Sequence, residues 1–376
     1  MDKHYVEKMG AELSLLGLGC MRFPVTEGTK IDREKAQAIA DRLIAAGVNY
    51  FDTGYPYHGG DSEVWLSEGI VGRYPRDSFY IADKLLMRYI KKPEDMDVMF
   101  AEQLDRLKVD YIDFYLLHNI QVSEWNDIGP EKIKEFIKDK LDSGKIRKIG
   151  FSFHSTPEDM KFLLDQYDWD FVQIQYNFYD ETEQRAGELY DLIEQHGAAC
   201  VVMEPVRGGG LANLPDDINK IFKDHNPTAS VPSWCFRWVA GHPNVAVVLS
   251  GMSDLAQAED NIKTFTDFKP LDAAEQAVLQ KANEAIKALP TVPCTACKYC
   301  VDGCPMSIKI PDIFEVYNDF VRFAKPSYPR YYNEVTDGKD ENLCISCGAC
   351  VAVCPQHIDI PEALARADKA AAEARK

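Results

Sequence analysis

Short apolar runs and helically spaced apolar positions take turns along most of this chain, regularly enough to be counted. After an N-terminal stretch patterned for a hairpin, the apolar runs fall at residues 15–21, 48–52, 79–84, 111–118, 146–152, 171–176, 199–203 and 245–250. Each is short enough for a strand buried on both faces. Between them apolar positions recur at helical spacing, as in 33–46, 93–107, 130–143 and 157–166. Several of these stretches open on proline or an acidic residue, as helix starts favour. Strand then helix, eight times over, predicts an α/β fold with a parallel sheet. Right-handed crossovers and this chain length close such a sheet most economically as a (β/α)8 TIM barrel, ending near residue 289. An open doubly wound sheet is the alternative, but no Gly-x-Gly-x-x-Gly follows the first strand to hold a dinucleotide there.

The pattern changes at Pro290 and Pro293, just after a helix patterned over 271–289. We therefore divide the chain into a barrel, 1–289, and a small, mainly helical domain, 290–376. In the second part Ile313, Phe314, Val316, Tyr317, Phe320 and Val321 give 311–323 helical spacing, and the Ala-rich stretch 363–375 predicts a terminal helix. The aromatics of 311–323 read as core, as do Trp234, Phe236 and Trp238 in the barrel.

Two runs in the second part, CTACKYCVDGCP at 294–305 and CISCGACVAVCP at 344–355, repeat Cys-x2-Cys-x2-Cys-x3-Cys-Pro. Three thiolates at every third position wrap one corner of an iron–sulfur cube, while the fourth, set off by three residues and a proline, reaches the neighbouring cube. The spacing assigns one [4Fe–4S] cluster to Cys294, Cys297, Cys300 and Cys354, and the other to Cys344, Cys347, Cys350 and Cys304. Zinc is the nearest rival, but a tetrahedral site would leave each run over-supplied with thiols. A disulfide framework fits less well, because the other cysteines, Cys20, Cys200 and Cys235, are scattered and read as small buried residues. The insertion between the runs makes the domain resemble helical two-cluster ferredoxins.

Charge then narrows the partners. A net charge of −18 disfavours nucleic acid and anionic membrane surfaces and leaves room for a redox protein partner. No basic segment followed by a long apolar one opens the sequence, and no apolar run reaches membrane-spanning length. A cytoplasmic, reducing setting is the expectation, which suits exposed clusters.

In a barrel of this kind chemistry sits at the carboxyl ends of the strands. Asp52, Lys84, His118, Ser152 and Gln175 fall there, with Tyr57 in the loop after the second strand. Asp52, Lys84 and His118 come from adjacent strands and can meet Tyr57 over one mouth. A phenol is too weak an acid at neutral pH, so an adjacent ammonium, itself held by Asp52, is expected to lower its pKa. His118 would direct a substrate oxygen toward it. The set is suited to reducing a small-molecule carbonyl or oxidising an alcohol. Trp125, in the loop after His118, is expected to line the pocket.

The stretches FDTGYPYHGGDSE, IADK, FYLLH and GKIRKIGFSFHS resemble the successive motifs of the aldo-keto reductases, over roughly 13–265. That resemblance implies a catalytic tetrad of Asp52, Tyr57, Lys84 and His118 in a barrel that binds NAD(P)H. It places Ser152 and Gln175 at the nicotinamide carboxamide, and Gly251, Glu259 and Asn261 at the adenosine half. The chain departs from the pattern in three places. Met203 stands where an aromatic ring usually stacks on the nicotinamide, and Glu204 follows it near the pyrophosphate. Phe153 replaces Asn in the Ser-Asn pair, and 250–261 contains no Lys or Arg for an NADP 2′-phosphate. NAD, or no dinucleotide at all, stays open.

Function follows as an oxidoreductase in which the barrel handles the substrate and the clusters relay electrons. Nicotinamide moves two electrons as hydride and each cluster one, so the coupling takes one of three forms: a bound flavin, direct one-electron reduction with Tyr57 supplying the proton, or clusters with a structural role only. The competing reading is an electron-transfer protein whose barrel only docks a partner.

Overall fold

The computed structural model describes residues 1, 3–324, 327–339 and 342–375. An antiparallel hairpin of β1 (Lys3–Val6) and β2 (Ala11–Ser14) comes first. Eight parallel strands then close into a barrel: β3 (Leu16–Gly19), β4 (Tyr50–Asp52), β5 (Tyr80–Leu86), β6 (Ile112–His118), β7 (Ile146–Phe153), β8 (Phe171–Gln175), β9 (Ala199–Met203) and β10 (Val245–Ser250). Each strand pairs with its sequence neighbour and β10 returns to β3. All eight expected strands are present, with ends shifted by at most two residues, and the sheet is closed rather than open.

The apolar runs are continuous because each strand is covered twice. Residues facing the axis, among them Tyr50, Phe114, Leu116, Phe171, Val201 and Val247, pack with Met9, Ala11 and Leu13 of the hairpin region. The alternate residues pack outward against the helices in a larger cluster that includes Phe51, Ile81, Leu85, Tyr115, Phe151 and Val202. Helix starts follow the local signals. Asp32 caps Arg33–Ala45 through the Lys35 N–H at 3.2 Å, and Thr156 caps Pro157–Leu164, with proline in the first turn where no N–H is needed. Cys20, Cys200 and Cys235 are fully buried, and burial pushes the Cys235 thiol up to about 12.

The chain divides into two compact units, residues 1–207 with 232–272, and residues 208–231 with 273–376. This division differs from a boundary at 289 because helix Asp216–His225 packs on helix Ala273–Lys287. In the second unit, helices Ile310–Phe323, Tyr328–Val335 and Ile360–Ala374 pack together. Their shared core contains Ile313, Phe314, Tyr317, Tyr328, Tyr332 and Leu364. Phe320 stacks on Tyr328 at 4.3 Å, whose hydroxyl donates to the Ala367 carbonyl at 2.9 Å. The Asn318 amide ties down the incoming chain, accepting from Val292 N–H at 2.7 Å and donating to its carbonyl at 2.8 Å. Among the described residues no helix is long and apolar enough to cross a membrane.

Candidate functional site

The expected barrel residues meet at one mouth. Lys84 and Asp52, on adjacent strands β5 and β4, form a buried ion pair, and the ammonium also donates to the Thr53 carbonyl at 2.6 Å. The other carboxylate oxygen of Asp52 accepts from Gln173 Nε2 at 2.9 Å. The Lys84 ammonium stands 4.9 Å from the centroid of the Tyr57 ring, and the His118 ring lies edge-on to that ring at 5.9 Å. Gly54 permits this close arrangement, since a Cβ there would stand 3.2 Å from the Tyr57 ring. Tyr57 is largely enclosed yet keeps an exposed edge.

Electrostatics decides which protons are available. Burial alone would depress Lys84, but the Asp52 carboxylate and then the Tyr57 oxygen outweigh it, so the lysine remains an ammonium. For Tyr57 the balance goes against the sequence expectation. Burial raises the phenol above its ordinary value, and the pull of Lys84 in the other direction does not overcome it. Tyr57 therefore keeps its proton at neutral pH. His118 is pushed down to about 3, first by burial and then by the Lys84 charge. It is a neutral imidazole whose Nδ1 has no hydrogen-bond partner among the described residues.

Trp125 corrects a second expectation. Helix Val122–Ile128, held by a capping box between Gln121 and Glu124, folds back against the barrel. That buries Trp125 fully, edge-on to Trp169 at 6.0 Å, in the layer between strands and helices rather than at an open pocket.

The residues matched to a dinucleotide are placed less favourably. Ser152 Oγ accepts the Asn119 N–H at 2.8 Å, and Gln175 Nε2 donates to buried Asp180 at 2.7 Å, uses that leave the Ser152 O–H and the Gln175 Oε1 for other partners. Met203 is half-buried beside them and offers no ring face. Glu204 pairs with Arg22 at 3.2 Å, and Arg22 packs against Gly251, where a Cβ would stand 2.9 Å from its own Cβ. Glu259 is held by Nε and Nη2 of Arg42, at 2.6 and 2.8 Å. Asn261 is buried and donates to Ser250 Oγ at 2.9 Å. The nicotinamide end keeps usable groups. At the adenosine end Glu259 and Asn261 make these internal contacts, and 250–261 offers no Lys or Arg.

The eight clustered thiols sort into two cavities, four to each. One is lined by Cys294, Cys297, Cys300 and Cys354 together with Ile310, Phe314 and Ile358. The other is lined by Cys304, Cys344, Cys347 and Cys350 together with Ile308, Ile310 and Leu364. None of the eight is in a disulfide. Among the described residues no three His, Cys, Asp or Glu side chains close around a point as a single ion would require. Thiols ringing a cavity in an apolar lining suit a cube of iron and sulfide.

Several residues at the barrel site were not evident from sequence. Gln173, Asp180, Arg22 and Thr53 all act there, and the alternation in Phe-Val-Gln-Ile-Gln was a signal for Gln173, since it places both glutamines on one face of β8. The neighbours in known proteins agree with this picture. The model of the aldo/keto reductase family matches residues 15–284, and that of the 4Fe-4S dicluster domain matches 293–358. An oxidoreductase of Bacillus subtilis, YqkF, is 27% identical over 293 residues, covering 70% of this chain and 90% of its own. NADH-specific methylglyoxal reductase of Escherichia coli is 22% identical over 329 residues, covering 73% and 96%. The solved aldo-keto reductase AKR11C1 from Bacillus halodurans, in its holo form, superposes with a TM-score of 0.63 at 28% identity, covering 75% of this chain and 96% of that one. With its closed barrel, its ion-paired lysine beside a tyrosine and a histidine, and a dicluster domain following in sequence, this chain belongs to the aldo/keto reductase family.

Proposed function

We propose that this oxidoreductase reduces a carbonyl, or oxidises the corresponding alcohol, in the barrel mouth, with Tyr57 as the general acid/base and two [4Fe–4S] clusters as electron relay. The observation that carries the reading is the Tyr57–Lys84–Asp52–His118 arrangement, in which a protonated phenol stands beside a fixed ammonium and a neutral imidazole. Reduction of a carbonyl to an alcohol consumes two electrons and two protons. Tyr57 supplies the proton that ends on oxygen, Lys84 stabilises the phenolate left behind, and with electrons arriving singly the proton that ends on carbon comes from solvent. His118, uncharged, donates or accepts a hydrogen bond at the substrate oxygen and turns it toward the phenol. Asp52 and Gln173 keep the ammonium from rotating away.

Cys294, Cys297, Cys300 and Cys354 would hold one cluster, and Cys304, Cys344, Cys347 and Cys350 the other. The sorting of these thiols into two cavities supports that assignment. When bound, each cluster supplies one electron at a time. A redox protein would deliver those electrons, and the substrate is a small molecule carrying a carbonyl or alcohol.

The test is anaerobic. Dithionite-reduced, iron-loaded protein is mixed with a panel of aldehydes and ketones while cluster absorbance and alcohol product are followed. Reoxidation of the clusters matched by alcohol formation, abolished in Tyr57→Phe with the fold and clusters intact, is the expected result. Clusters that recolour only with protein partners, and never with a carbonyl, would support the electron-carrier reading instead.

A further inference from the structure

Directly behind the lysine of the mouth lies a second group of buried acids that the proposed chemistry does not use. Asp83 precedes Lys84 on β5, so its side chain leaves the opposite face of the strand. It accepts the Lys84 backbone N–H at 2.8 Å through Oδ1. Glu63 sits on helix Asp61–Leu66, immediately after the turn that carries Tyr57. Both carboxyl groups are fully buried, and they contact each other.

The surroundings supply too little positive charge for two carboxylates. From helix Glu94–Leu107, Arg106 donates to Glu63 Oε2 at 2.8 Å, and the Gln103 amide donates to Glu63 Oε1 at 3.3 Å and to the Lys84 carbonyl at 3.1 Å. From β6, Tyr115 donates its hydroxyl to Gln103 Oε1 at 2.5 Å. Lys84 is already paired with Asp52, and Arg106 is shared with Glu102 at 3.6 Å. Three buried carboxyl groups, Asp52, Glu63 and Asp83, therefore face two cations, Lys84 and Arg106. Asp83 Oδ2 has no donor among the described residues. A contact between two carboxyl groups is attractive only when one carries a proton.

We propose that Asp83 and Glu63 share one proton and form a clamp that fixes the Tyr57 turn against the strand of Lys84. The two are positioning residues. Glu63 is tied to the element that presents the phenol and Asp83 to the one that presents the ammonium, so the shared proton sets the distance between them. Loss of that proton would set two carboxylates face to face in the layer beneath the mouth with only Arg106 to offset them, and drive those elements apart. Burial, then repulsion by Glu63, holds Asp83 well above the ordinary carboxyl range, consistent with a proton retained at neutral pH.

The shared proton does not depend on the proposed reaction, whereas its link to turnover does, and the experiment separates the two. Infrared spectra of the iron-loaded holoprotein at pH 7 should show a protonated-carboxyl carbonyl band that shifts in D2O and is lost in Asp83→Asn. The amide of that variant donates to Glu63 permanently. If Asp83→Asn fails to fold, Glu63→Gln places the donor on the other side and should lose the same band. The parent should also lose thermal stability relative to the amide variant as pH rises from about 4, because a folded-state pKa raised above the unfolded value gives stability that disappears with rising pH. With a carbonyl substrate in hand, Asp83→Ala should lose about ten-fold or more in kcat with KM little changed, and Asp83→Asn should recover most of it. Absence of the band from the parent, or its persistence in both amide variants, overturns the shared proton. A lost band with equal kcat in Asp83→Ala and the parent overturns the positioning role alone.

Discussion

Lys84→Met isolates the charge of the ion pair from its bulk. Lys84 and Asp52 are 0% and 4% exposed, and methionine fills most of the lysine stem's volume, so the main loss is electrostatic rather than a cavity. Removing one member of a buried pair strands the other charge and costs about 3–5 kcal/mol. At roughly 2–4 °C per kcal/mol for a domain of this size, the melting temperature should fall by about 6–20 °C near neutrality. The pH dependence has a definite sign. Without Lys84, Asp52 keeps only the 2.9 Å bond from Gln173, and burial raises its folded pKa above the unfolded value of about 3.9. A raised folded pKa means stability that is present below the unfolded value and lost as pH climbs through the folded one. The variant should therefore lie close to the parent near pH 4 and fall progressively below it through about pH 5–8. The assay is thermal unfolding of anaerobically prepared, iron-loaded parent, Lys84→Met and Lys84→Met/Asp52→Asn over that range. The double variant should regain most of the loss, since its neutral amide can be buried. A deficit that does not change with pH, or a double variant no more stable than the single one, refutes the argument.

Further outcomes follow from the same geometry. Cys304→Ala removes a thiol from the cavity lined by Cys344, Cys347 and Cys350, so analysis should give about four iron in place of about eight, with the run beyond residue 344 losing its cluster; loss confined to the cluster of the nearer run would refute the crossing. Carbonyl reduction should hold its rate from about pH 5 to 8 because Tyr57 is held above the usual phenol value near 10 and His118 near 3 does not titrate in that span, while alcohol oxidation, which needs the phenol deprotonated, should quicken with rising pH. Gly150→Ala would set a Cβ 2.3 Å from the Phe171 carbonyl oxygen where β7 meets β8, and should cost about 1–3 kcal/mol or more in denaturant unfolding without changing the iron content.

The barrel was legible because its signal is redundant. Each strand is buried on both faces, so 245–249 or 114–117 reads as an unbroken apolar run whichever way its side chains point. The meeting of Asp52, Lys84 and His118 at one mouth was legible for a different reason: polar residues that end such runs have few structural excuses for being there. Gln173 was not, because its meaning depends on Asp52, 121 residues away. Asp83 was not legible either, because its role depends on Glu63 and on leaving the strand on the face opposite Lys84. Trp125 and Tyr57 show a further limit. The backward fold of a short helix and the balance between burial and a neighbouring charge are both three-dimensional quantities that spacing does not encode. The 208–231 segment is a similar case, since its affiliation rests on one helix pair.

The sorting of the thiols also constrains the order in which the molecule can be made. Cys354 completes the wall of the cavity begun by Cys294, and Cys304 has its partners only beyond residue 343. A nascent chain emerging from the ribosome can thus present a finished barrel sequence and six of the eight thiols and still possess neither cavity whole. Iron and sulfide delivered early would meet half-built walls. Both cavities become complete within the same few residues of synthesis, which makes the pair a single maturation event and leaves no stage at which one is finished while the other has yet to begin.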